Sequence, residues 1–317
     1  MKGLWLEQQQ LELRSNLPIP EPQANEALVK VLSAGICNTD LELMRGYYPY
    51  AGVLGHEFVG VVKQGPENLQ GQRVVGEINA ACGHCHFCQT HQPTHCENRT
   101  VLGIVNRHGA FADYLALPVE NLHPVPESVS TEVATFTEPV AAALEIQEQV
   151  KIGEGDRVLV IGDGKLGSLV AQTLALTGCE LLAIGRHPEK LANLAAVGIQ
   201  TGLADQVRDR TFDLAVDCTG NPSGFDLARR SLRPRGTLVL KSTYAGNLSI
   251  DASALVVDEI TVIGSRCGPF AKALEVLAQG KVNVKPLIQA HYPLEQGLAA
   301  FEHASQKGVL KVLLDMV

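Results

Sequence analysis

Residues 157–167 read RVLVIGDGKLG. An apolar run ends in glycines at 162, 164 and 167, spaced G-x-G-x-x-G, and a stretch that can form a helix follows. That order gives each glycine a task. Gly162 permits a tight turn out of a strand, and Gly164 lets the backbone approach a pyrophosphate. Gly167 lets the next helix pack closely on the strand. Lys165 and Leu166 stand at the helix start, where unpaired amides face phosphate oxygens. Alone the triplet is a common turn, so its meaning depends on its surroundings.

Reading outward, apolar runs recur at ELLAIG (180–185), FDLAVDCTG (212–220), GTLVLKS (236–242) and EITVIGS (259–265). Helical patterns fall between them, near 165–177, 188–197 and 224–232. Strands alternating with helices indicate a parallel sheet covered on both faces. Residues 146–271 are therefore expected to form a doubly wound Rossmann domain that binds a dinucleotide. Residues 1–145 have another texture. Short runs such as ALVKVL (27–32), FVGVVK (58–63) and RVVGEI (73–78) are separated by Gly, Pro and polar clusters, which predicts a β-rich domain. The tail, roughly 270–317, holds two helical stretches and a closing strand, VLKVLLD, and could belong to either unit. The chain is thus α/β overall.

The same motif bears on cofactor choice. About 20 residues past the last glycine, an NAD-selective fold offers Asp or Glu to the ribose hydroxyls. Here AIGRHPEK (183–190) puts Gly185 at that tip, followed by Arg186 and His187. Without the carboxylate a 2′-phosphate is not repelled, and a guanidinium can clamp it through two hydrogen bonds. The pattern predicts NADP over NAD.

Composition excludes other classes. Apolar residues make up 45% and charged residues 19%, enough to bury a sizeable core. A net charge of −8 is a poor match to nucleic acid or an anionic membrane. No apolar run approaches the roughly 20 residues of a bilayer span. The opening MKGLWLEQQQ turns polar too soon for a signal-peptide core, so a cytoplasmic protein is expected.

Cysteine placement then points to metal. Of eight cysteines, those at 179, 218 and 267 are scattered singly, as small buried residues are. Residues 82–96 read CGHCHFCQTHQPTHC, with Cys82, Cys85, Cys88 and Cys96 spaced C-x2-C-x2-C-x7-C. Four thiolates can close a tetrahedron around one zinc and leave no place for a substrate. The histidines among them (84, 86, 91, 95) are read as spectators. Upstream, GICNTD (35–40) offers Cys37, and GHE (55–57) offers His56 beside Glu57.

In this order, with AFADY (110–114) and TEP (137–139), the chain resembles the zinc-containing medium-chain dehydrogenases, the alcohol and polyol dehydrogenase group. The resemblance implies a GroES-like catalytic domain, 1–145 with 272–317 returning to it, and the Rossmann domain inserted between, with the active site in the cleft. It implies a catalytic zinc on Cys37 and His56, with Asp40 orienting the imidazole and Thr39 starting a proton relay. Glu138 is the expected third ligand, with Glu57 as its rival. A second zinc would sit in the cysteine lobe. The activity implied is hydride transfer between an alcohol or polyol, or the matching aldehyde or ketone, and NADP, with an NAD-linked polyol or sugar dehydrogenase as the alternative, in a homodimer or homotetramer.

Two residues depart from relatives. Glu42 stands where many carry the relay histidine, and Asn38 stands where liver-type enzymes carry an arginine. Tyr47, Tyr48 and Tyr50 could line the substrate site, with Asn106 and His108 as weaker candidates. A zinc-stabilised binding module would need a basic face and would leave Cys37, His56 and the glycine loop unused. A zinc-free reductase would lack the cysteine lobe.

Overall fold

A computed structural model of the protein describes residues 1–244 and 247–316. The chain divides into two compact units. The first comprises Met1–Glu138, Ala273–Ala278 and Leu287–Val317, and the second Pro139–Lys272 and Gln279–Pro286.

The first unit is built on a seven-stranded sheet. Its main path runs Leu122–Pro124, Arg73–Gly76, Glu57–Gln64, Glu26–Gly35, Lys311–Asp315, Ile288–Pro293, and Tyr114–Pro118 also pairs with Glu26–Gly35. The strand Glu26–Gly35 is its spine. Ala27, Val29 and Val31 alternate inward and are fully buried, which is the period-2 pattern of a strand with one face on the core. Its last residue, Gly35, pairs with Glu57 on one side and Leu313 on the other. A Cβ there would come within 2.5 Å of the Glu57 carboxylate and 3.2 Å of the Lys311 side chain. Glycine therefore leaves room for two charged side chains beside the spine.

The second unit is a parallel sheet of six strands in the order Gln200–Leu203, Glu180–Gly185, Arg157–Ile161, Phe212–Asp217, Leu232–Leu240, Thr261–Gly264. Numbered along the chain this is 3-2-1-4-5-6, the doubly wound arrangement, and its order reverses beside Arg157–Ile161. Leu159, Ile161, Ile184, Phe212, Ala215 and Leu238 from the strands meet Phe225 and Ala228 from the helix Pro222–Ser231 in one core. Helices cover the connections at Lys165–Ala175 and Pro188–Ala195. Both stop two residues before their hydrophobic pattern does. Leu176–Thr177 and Ala196–Val197 enter turns closed by Gly178 and Gly198, at φ +80° and +83°, where glycine reverses the chain without strain. No helix of the described residues is long and apolar enough to cross a membrane.

Candidate active site and metal centres

The strand Glu26–Gly35 delivers the chain into Cys37, which caps the short helix Asn38–Met44. Asp40, fully buried in that helix, ties the region together. Its carboxylate accepts hydrogen bonds from the Cys37 amide (2.8 Å) and the Gly55 amide (3.3 Å). The next residue, His56, places Nδ1 3.3 Å from Asp40 Oδ1, close but without hydrogen-bond alignment. One carboxylate thus ties down the loops that carry both candidate ligands and stands beside the His56 ring.

Ligand atoms of Cys37, His56 and Glu57 lie within 4.8 Å of one another, and His56 and Glu57 are buried. Burial alone would weaken proton binding by His56. The Asp40 carboxylate and Cys37 sulfur outweigh it and hold the pKa well above the usual imidazole value. Asp40 and Cys37 thus put a negative field on the His56 ring. A thiolate, an imidazole and a carboxylate, with one place open, is a donor set suited to catalytic zinc.

Lys311 reaches this corner from the tail strand and is 1% exposed. Its ammonium donates to Glu57 Oε2 and, at 3.5 Å, to the Ile36 carbonyl, and it stands 5.6 Å from the Phe136 ring centre. Burial pulls its pKa down, but Glu57, Cys37 and Glu138 hold it above the ordinary lysine value. Glu138, in the first turn of Thr137–Gln149, acts on this ammonium without belonging to the 4.8 Å group. Sequence reasoning passed over Lys311. The signal was a lone lysine inside the apolar run VLKVLLD, where an unpaired charge would be costly.

Other candidates separate clearly. The Thr39 hydroxyl lies 3.8 Å from Cys37 Sγ, within reach of whatever Cys37 holds. Glu42 is engaged by Arg45 at 2.6 Å. The Tyr50 hydroxyl donates to the carbonyls of Val53 or Arg107 (2.7 and 2.9 Å), and His108 Nδ1 accepts from the Val53 amide at 3.3 Å. These are scaffold contacts. Tyr47, Tyr48 and Asn106 are exposed.

In the cysteine lobe, Cys82, Cys85, Cys88 and Cys96 also bring their sulfurs within 4.8 Å of one another. Cys85 and Cys88 are 3.5 Å apart and Cys82 and Cys88 4.0 Å. A tetrahedral zinc with Zn–S bonds of about 2.3 Å sets its sulfurs about 3.8 Å apart, so the four fit. The turn favours the thiolate at Cys82 and Cys85. The His84 amide, aided by the Cys85 amide and the neighbouring thiols, draws the Cys82 thiol down to about 6. Desolvation and the adjoining sulfurs push Cys88 up to about 12. Among the histidines here, His84 Nδ1 is 2.7 Å from the Cys82 carbonyl, and none belongs to the ligand group.

In the second unit, Gly162 turns at φ +121° and its amide donates to the Ile184 carbonyl at 2.9 Å. A Cβ on Gly167 would come within 1.9 Å of the Gly162 carbonyl oxygen, whereas one on Gly164 would meet no protein atom within 4 Å. The first restriction packs helix on strand, and the second leaves the backbone open at the helix start, beside Lys165 and Leu166, where a pyrophosphate can approach it. The residues fit a dinucleotide. At the tip of Glu180–Gly185, Arg186 is exposed, and its guanidinium pairs with no carboxylate among the described residues. His187 Nδ1 lies 3.0 Å from Asp163, a second residue that sequence reasoning passed over.

Comparison with known proteins agrees with this geometry. Residues 23–127 match the family model described as an alcohol dehydrogenase GroES-like domain, and residues 166–279 match the model for zinc-binding dehydrogenases. A sorbitol dehydrogenase of Halalkalibacterium halodurans is 30% identical over 94% of this chain and 93% of its own. A zinc-binding dehydrogenase of Sinorhizobium meliloti 1021, solved with NADP, superposes with a TM-score of 0.91 at 26% identity, covering 99% of each chain. The rspB alcohol dehydrogenase of Escherichia coli CFT073, complexed with NADH, gives 0.90 at 28% identity, covering 100% of this chain and 99% of its own. Fold, glycine cradle and metal centres together define a zinc-dependent oxidoreductase that uses a nicotinamide cofactor. The chain belongs to the zinc-containing medium-chain dehydrogenase family.

Proposed function

We propose that this enzyme oxidises an alcohol or polyol, or reduces the matching aldehyde or ketone, with NADP as its preferred cofactor. The observation that carries the cofactor preference is the turn at 185–187, where no acid stands at Gly185 and the Arg186 guanidinium is exposed and unpaired among the described residues. The polyol reading is supported by the 30% identity to a sorbitol dehydrogenase.

When bound, zinc supplies a Lewis acid for the substrate oxygen and the nicotinamide a hydride acceptor. Cys37 and His56 hold the metal, Asp40 aligns the imidazole, and Thr39 takes the proton onward. Glu57 and Glu138 compete for the third place. Membership in the 4.8 Å group supports Glu57, with Lys311 engaging one of its two oxygens. Cys82, Cys85, Cys88 and Cys96 hold a zinc that clasps their loop. Gly162, Gly164, Lys165, Leu166 and Gly167 cradle the pyrophosphate, and Gly185, Arg186 and His187 meet the adenosine ribose.

The edge strand Thr261–Gly264 and the exposed Val256 and Val257 (76% and 79%) support pairing with a second copy, as homodimer or homotetramer. The location we assign is the cytoplasm, whose reducing medium keeps the metal-binding thiols free. A panel of alcohols, polyols and ketones with NADP and NAD, following reduced nicotinamide, tests this reading. The expected result is a higher kcat/KM with NADP on an alcohol or polyol. Equal or better use of NAD would remove the cofactor assignment.

A further inference from the structure

Asp163, between the first two glycines of the loop, has no place in the pyrophosphate cradle, yet its carboxylate is bound from several sides. Its Oδ2 accepts from the backbone amides of Arg186 (2.6 Å) and His187 (2.7 Å). The His187 ring closes on the same carboxylate, with Nδ1 at 3.0 and 3.1 Å from its two oxygens. The side chain is 11% exposed. Despite partial burial, these donors hold Asp163 below the usual carboxylate pKa, so it is an anion at neutral pH. The volume it fills is specific. A Cβ on Gly185 would fall 2.3 Å from Asp163 Oδ2, 2.4 Å from its Cβ and 2.5 Å from its Cγ. The flexible end of a side chain could move from such a contact, but Asp163 Cβ is fixed by the turn it sits in.

We infer that Asp163 is a positioning residue for cofactor selection, forming with Gly185 a coupled pair in which only one position can carry a side chain. A side chain at 185 has no room beside Asp163, and the Asp163 carboxylate is itself taken up by the turn amides and the His187 ring. That carboxylate is directed at the amides of the turn. It gathers them and fixes where the Arg186 side chain emerges. Cofactor preference is therefore set by two residues, 163 and 185, ahead of the arginine that makes the contact.

This deepens the NADP reading and rests on it only for which cofactor gains. The coupling between 163 and 185 stands separately. The test uses the purified, zinc-loaded enzyme and measures Kd and KM for NADP and NAD, with kcat and melting temperature, in G185D, D163G and D163G/G185D. G185D alone is expected to weaken both cofactors by about tenfold or more, because two side chains compete for one space. D163G/G185D is expected to bind NAD at least about tenfold more tightly than G185D does, a non-additive recovery. The conservative D163N loses the charge-assisted contacts with a nearly unchanged shape. It is expected to raise the KM for NADP about tenfold and the KM for NAD less, with kcat held and a small fall in melting temperature.

Three results would overturn the inference: G185D gaining NAD binding unaided, the double variant behaving as the sum of its parts, or D163N weakening NAD alone, which would make Asp163 itself the ribose acid. A wild type that prefers NAD, with the non-additivity intact, would remove the NADP reading and leave the coupled pair standing.

Discussion

The cysteine lobe and the Cys37–His56–Glu57 corner both bring metal-ligating atoms within 4.8 Å, and they are built in opposite ways. The lobe takes all four ligands from one short segment, 82–96, and only Cys96 among them is buried. The corner takes its ligands from the ends of two paired strands, buries His56 and Glu57, and draws a lysine from the far end of the chain. A closed thiolate shell needs nothing but its own loop, so it can be local and half-exposed. A site with an open position must hold its groups rigidly and balance their charge, so it is set in the sheet.

The sharpest way to break this contrast is to remove one ligand from each side. Cys37→Ala is expected to cut kcat/KM by more than about a thousandfold, since a metal's stabilisation of the reacting oxygen is worth several kcal/mol. Its melting temperature should change little. Cys85→Ala is expected to do the reverse, lowering the melting temperature by about 10 °C through loss of the zinc clasp, with activity retained while the protein stays folded. Parallel activity assays and thermal melts check both. A Cys85→Ala enzyme that is fully stable but inactive would erase the distinction.

A smaller effect sharpens it. Lys311→Met leaves the buried Glu57 carboxylate without its cation, a change that costs about 3–5 kcal/mol in comparable sites. Zinc at the corner would take up part of that negative charge. The destabilisation should therefore be larger in metal-free protein than in loaded protein, as denaturant titrations of the two forms would read. An equal loss in both would mean that Lys311 stabilises the fold independently of the site.

What was legible beforehand follows from how local each feature is. RVLVIGDGKLG and the alternating runs after it announced the dinucleotide fold because strand, turn and helix there are consecutive. The lobe was legible because its ligand spacing is contained in fifteen residues of sequence. Cys37 and His56 took on a role only through the resemblance, since a lone cysteine or histidine carries no pattern. Lys311 lies 254 residues from Glu57, and no periodicity links them, because the strand pairing that joins them is a property of the folded sheet. Asp163 escaped for a different reason. Reading the loop as glycines turned attention from the residue between them, and its bond to the turn at 186–187 crosses adjacent parallel strands.

A clasp and a separate reactive metal corner should lose their zinc independently. Zinc content per chain, measured on the purified wild type and on Cys37→Ala, tests this most directly. Two metal-ligating groups predict about two zinc ions in the wild type and about one in the variant, with the remaining one held by the lobe. A wild type with a single zinc, or a Cys37→Ala protein that keeps both, would contradict the account.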